Sequence, residues 1–93
     1  MLVSALGVVN GMRQRRSAVK VRAEWDDEAG VWVAEGANLP GLVTEAETVE
    51  RLLEKLRSMV PDLLAYSPDL AAGFLPEIRV TLVRRDTIEL VAA

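Results

Sequence analysis

Carboxylates are the side chains through which this 93-residue chain would have to do any chemistry, because it contains neither histidine nor cysteine. Without histidine, the usual general base near neutral pH and the commonest metal ligand are both missing. Ser-His-Asp and Cys-His arrangements are therefore excluded within one chain. Disulfides, thiolate metal sites and thiol nucleophiles are excluded as well. The acids that remain lack catalytic spacing. Asp26, Asp27 and Glu28 stand side by side before Ala29 and Gly30, where turn formers and a glycine point to a hairpin tip. A calcium-binding loop would need ligands at alternating positions and a closing glutamate, so these carboxylates read as solvated turn residues. Gly36 and Gly41 are not spaced as a phosphate-binding loop requires. No enzymatic activity, metal or cofactor is expected.

The acids do carry a second signal, which is their distribution. The net charge is −3, yet the stretch from Glu24 to Glu54 holds nine acids against the single base Arg51, a local net of −8. Bases collect on either side, at Arg13, Arg15, Arg16, Lys20 and Arg22 and again at Arg79, Arg84 and Arg85. Such a surface suits solubility, and it also attracts a basic partner while repelling nucleic acid.

The elements that must position these acids follow from hydrophobic period. From Ala18 the residues Val19, Val21, Ala23 and Trp25 alternate with Lys20, Arg22 and Glu24, the period-two pattern of a half-buried strand. Val31 to Glu35 resumes as a second strand, with Trp32 and Ala34 on one face. Leu39-Pro40-Gly41 is a sharp corner, since Pro40 fixes φ and Gly41 permits the conformation that L-residues avoid. Leu42 to Glu45 gives a short third strand. Thr48 then stands as N-cap before Val49, Leu52, Leu53, Leu56 and Leu63, which recur at three- and four-residue spacing and predict one long amphipathic helix. Glu45, Glu47 and Glu50 surround its positive end. Pro61 predicts a kink or a break. Residues 65–77 form a loop from which Tyr66, Leu70, Phe74 and Leu75 are expected to return to the core, with a short helical turn at Asp69–Ala72. A last strand begins after Pro76, and Thr87 to Val91 extends it or folds back.

Residues 1–17 are expected to lie outside this domain, as a disordered tail or an over-extended start, and residues 18–93 form the domain. The apolar run from Leu2 to Val9 is too short to span a bilayer, and its arginines follow it rather than precede it as in a secretory signal. The Arg13–Arg16 cluster lacks interleaved aromatics, which makes it a weak nucleic-acid signal. A cytoplasmic location is expected, and so is a homodimer, because so small a sheet leaves exposed edges.

Taken together, the strand ending in Trp25, the Asp26–Gly30 turn, Val31-Trp32-Val33-Ala34, the Leu39-Pro40-Gly41-Leu42 corner, Thr44 and Thr48 opening a Leu-rich helix resemble the HicB-like antitoxins. The likeness is to a small branch of that superfamily carried as a domain of unknown function. It covers about residues 18–64 well and the final strand more loosely. The elements read above run β-β-β-α-β, an α+β fold expected to be an antiparallel sheet with one long helix on one face, and the resemblance implies that this is akin to a partial RNase H or double-stranded-RNA-binding domain. It also implies neutralisation of a HicA-type mRNA-cleaving toxin by protein contact. Many such antitoxins carry a ribbon-helix-helix or helix-turn-helix segment for DNA. None is visible here, so direct DNA binding is not expected.

Charge and resemblance then meet on one set of contacts. Glu35, Glu45 and Glu47 are the expected partner-binding acids, with Trp25 and Trp32 as anchors, while Leu39, Pro40, Gly41 and Thr48 are structural. Ordinary core packing competes for each tryptophan, and a solvated face for each acid. The alternative to the antitoxin is an orphan structural or regulatory dimer with no toxin.

Overall fold

The structure, a computed structural model, describes residues 15–92. The expected tail therefore lies outside the described residues as far as position 14, while Ser17 is already the first residue of a strand. Four strands, β1 (Ser17–Asp26), β2 (Val31–Gly36), β3 (Val43–Ala46) and β4 (Phe74–Val83), make one sheet in the order β3-β2-β1-β4. Between β3 and β4 the chain forms the long helix α1 (Val49–Ala65) and the four-residue α2 (Pro68–Ala71).

The sheet corrects one expectation. β1 with β2 and β2 with β3 pair antiparallel, but β4 joins β1 in parallel, so the sheet is mixed rather than antiparallel throughout. The direction follows from the helix. Two hairpin reversals leave β3 running the same way as β1; α1 then carries the chain back along the sheet, and the next strand must start again from the original end. A single helical crossover thus makes β4 parallel to β1 and puts it at the far edge.

Side-chain alternation in β1 and β2 sends Val19, Val21, Ala23, Trp32 and Ala34 to the face that α1 covers, and these residues are all buried. Ala23 and Ala34 are cross-strand partners with no exposed surface. Two methyl side chains at one register point leave room for a helix to lie close. Leu52, Leu56 and Val60, one turn apart on α1, are buried in the same cluster, each contributing about 1.5–3 kcal/mol by leaving water. The corner supplies Leu39 and Leu42, at 2% and 1% exposure. Gly41 adopts φ 86° there and Gly30 φ 68° in the β1–β2 turn, the two positive values among the described residues.

Several local expectations change in detail. α1 runs unbroken through Pro61. Thr48 caps it, its hydroxyl accepting from the Arg51 amide at 3.1 Å. β4 starts at Phe74, ahead of Pro76, because the β1–β4 register shifts between Ser17 and Val19 and the proline falls within that irregularity of an edge strand. Of the loop residues expected in the core, Phe74 packs against it, whereas Tyr66 is 88% exposed and Leu70 and Leu75 remain on the surface. Residues 84–92 neither continue β4 nor fold back as a strand.

Candidate functional site

One face of the sheet has no helix over it among the described residues, and the strand registers set out its surface row by row. Across β3-β2-β1-β4 the first row reads Glu45, Val33, Glu24, Val83 and the next reads Val43, Glu35, Arg22, Thr81. Carboxylates and short apolar side chains therefore alternate over the β3–β2 half. Val43 is 60% and Val33 36% exposed. Arg22 pairs with Glu24 along β1 at 3.0 Å, while Glu35 and Glu45 take part in no ion pair among the described residues. Arg22, Glu24, Val33 and Glu35 line a shallow depression of about 270 Å³.

The third expected acid, Glu47, belongs to the adjoining edge. It follows β3 and precedes the Thr48 cap, and it shares a groove of about 380 Å³ with Glu45, Ala46, Arg51 and Lys55. That groove is mixed in charge. The Lys55 ammonium donates to the Glu45 carbonyl at 2.6 Å, tying the first turns of α1 to the edge strand.

The expected anchors lie elsewhere. Trp25 and Trp32 are register partners on the helix-covered face, packed edge to face with centroids 5.5 Å apart at 61°. Trp32 is 9% exposed and belongs to the core. Trp25 is half-buried, with the Arg84 guanidinium 5.4 Å from its ring centroid and its indole N–H donated to Asp27 at 3.3 Å. The structure thus brings Glu35 and Glu45 onto one surface, sets Glu47 beside them at the edge, and puts both tryptophans on the opposite side of the sheet. Strand parity holds this information: Trp32 and Glu35 are three residues apart in one strand and must face opposite ways.

Carboxylates of the β1–β2 turn have backbone work. Asp26 accepts from the amides of Glu28 and Ala29, both at 3.1 Å, and closes the turn through its carbonyl to Gly30 at 2.8 Å. Among the described residues, no group of three or more His, Cys, Asp or Glu side chains could hold a metal ion.

Two positions escape period and spacing. Asn38 accepts from the Lys20 amide at 2.8 Å and donates to the Ala18 carbonyl at 3.0 Å, prolonging the β1 pairing after β2 has turned away. Arg84 breaks the alternation of the last strand, yet it lies over Trp25 and pairs with Asp86 at 3.2 Å. The only hint for Asn38 is its polarity inside an otherwise apolar corner.

No helix among the described residues is long and apolar enough to cross a membrane. Comparison with curated proteins yields no match. A crystal structure of a hypothetical protein from the extremely thermophilic bacterium Thermus thermophilus is similar: it is 43% identical, the match covers 81% of this chain and 100% of that one, and the TM-score is 0.58. A family model described as a domain of unknown function, DUF1902, matches residues 18–85, from the second residue of β1 to just beyond β4. The chain belongs to the DUF1902 family.

Proposed function

We propose that this domain is a protein-binding module of the antitoxin type, which neutralises a HicA-type mRNA-cleaving toxin by covering it and does no chemistry of its own. The observation that carries the reading is the β3–β2 half of the bare sheet face, where Glu35 and Glu45 alternate with exposed Val33 and Val43, while Lys20, Arg22 and Arg79 make the β1–β4 half of the same face basic. A ribonuclease holds the RNA backbone through basic side chains, so an acidic surface can compete for the same charges. Carboxylates there and Glu47 at the edge would speed encounter, and the valines would supply apolar contact once water is excluded. Trp25 and Trp32 support the sheet from behind in this reading rather than touching the partner. The test is co-expression with a HicA-type toxin encoded beside this gene. Growth should be rescued by the wild-type chain and lost with Glu35→Lys and Glu45→Lys together; absence of rescue by the wild-type chain removes the antitoxin reading.

A second reading, an orphan homodimer with no toxin, is favoured by a different observation. Ile88, Leu90 and Val91 are 82%, 91% and 95% exposed, which suits self-association. Dimerisation by itself is compatible with both readings, since an antitoxin can also be a dimer; the presence or absence of a toxin partner separates them.

A further inference from the structure

We infer that the C-terminal segment Thr87–Val91 adds as a strand to the outer edge of β4 in a second copy of this chain, with Ile88 and Leu90 closing the groove between that strand and α1. This deepens the dimeric reading above by naming the segment and the site it fills, and it does not depend on a toxin.

Four features of the single chain lead there. The segment reads Thr-Ile-Glu-Leu-Val, an alternating, strand-forming pattern, yet it pairs with no strand among the described residues and leaves its apolar side chains almost wholly in water. β4, ten residues long, is the edge strand of the sheet among the described residues, where it pairs with β1 alone. Its outer side therefore presents a row of unsatisfied N–H and C=O groups, the usual template for another strand. Alongside it runs an open groove of about 510 Å³ lined by Leu53, Val60, Leu64, Pro76 and Ile78 among others. A strand placed beyond β4 would roof this groove with its helix-side residues. Finally, the segment cannot reach its own β4 edge without a tight reversal, and positions 84–86 are Arg-Arg-Asp, which lack the glycine that a two-residue hairpin turn favours.

Parity agrees. Ile78 and Val80 of β4 are register partners of the buried Val19 and Val21 and pack with them beneath α1. Continuing the alternation puts Ile88 and Leu90 on that same side, with Thr87 and Glu89 on the other. If two copies pair antiparallel about a twofold axis near Val83, the Thr87–Val91 segment of each lies along the first half of the other's β4. Helix-side residues then meet helix-side residues. The interface is self-complementary, closes at two chains and makes one continuous eight-stranded sheet.

Sedimentation equilibrium of the purified full chain, alone, tests the inference. A dimer is expected. Ile88→Asp with Leu90→Asp should raise its dissociation midpoint by at least about a hundredfold, with the helical far-UV circular dichroism signal retained because both side chains are exposed in the single chain. Hydrogen exchange supplies a readout independent of any variant: the amides of Thr87–Val91 should be protected in the dimer and lose protection on dilution. A monomeric wild-type chain, a dimer indifferent to the double substitution, or freely exchanging Thr87–Val91 amides in the dimer would each overturn it. None of these results bears on toxin binding, so the two proposals fail separately.

Discussion

Replacing Asn38 with alanine should destabilise the fold far more than its place in a surface loop suggests. β2 leaves β1 at the Gly36–Val21 pair, and the Ala37 amide makes one more bond, to the Lys20 carbonyl at 2.8 Å. Beyond that point the Asn38 amide stands in for a strand, accepting from Lys20 and donating to Ala18. Alanine removes both bonds. The Lys20 amide can turn to water, because Lys20 is exposed, but Ala18 is 3% exposed and its carbonyl loses its partner in a dry place. Taking about 1 kcal/mol for each bond, and somewhat more where the orphan is buried, the loss is about 2 kcal/mol. In urea denaturation this moves the midpoint down by about 2 M at a slope of about 1 kcal/mol/M, with the slope itself unchanged. Asn38→Asp separates the two bonds. Its carboxylate still accepts from Lys20 but has no proton for Ala18, so the variant should remain weakened at neutral pH. Below a pH of about 4 the carboxyl regains a donor, the folded state favours the protonated form, and the deficit against wild type should narrow. An Asn38→Ala midpoint within about 0.5 M of wild type would refute the reasoning.

Other substitutions probe the corner and the helix. Gly36 has no positive φ, yet an added Cβ would stand 2.7 Å from the Leu39 carbonyl oxygen and 2.9 Å from the Leu42 Cβ. Gly36→Ala should therefore cost about 1–3 kcal/mol by overpacking, read as a lowered urea midpoint. Pro61 is exposed in the last third of α1, where it withholds a backbone donor from the preceding turn. Pro61→Ala restores that donor and should raise stability by about 1 kcal/mol or more; a loss of stability in the same titration would mean that the ring's packing outweighs the missing bond.

Much of this architecture is legible because it is local. Period two gives away β1 and β2, the three- and four-residue repeat gives away α1 with Thr48 at its head, and Gly30 and Gly41 mark the two places among the described residues where the backbone takes positive φ. What escapes is long-range. Nothing near Ile78 says that β4 runs parallel to β1, since its direction depends on how many times the chain has already reversed. Asn38 looks like turn chemistry because its partners, Ala18 and Lys20, are about twenty positions away. The exposure of Tyr66, Leu70 and Leu75 likewise depends on how far α1 reaches over the β4 edge, a distance that spacing alone does not contain. The candidate surface is half legible. Glu35 and Glu45 share a face by register, while the tryptophans expected beside them are carried to the other side by the same alternation.

Association kinetics test the central claim, that the acidic β3–β2 half of the sheet face is a protein-binding surface, most directly. The wild-type domain and its Glu35→Lys, Glu45→Lys variant would be mixed with a HicA-type toxin encoded beside the gene, over a range of salt concentrations. The account predicts tight wild-type binding that blocks RNA cleavage. It also predicts an association rate at least about tenfold slower for the variant at low salt, with a shallower salt dependence. Equal rates and equal salt slopes for the two proteins would contradict it.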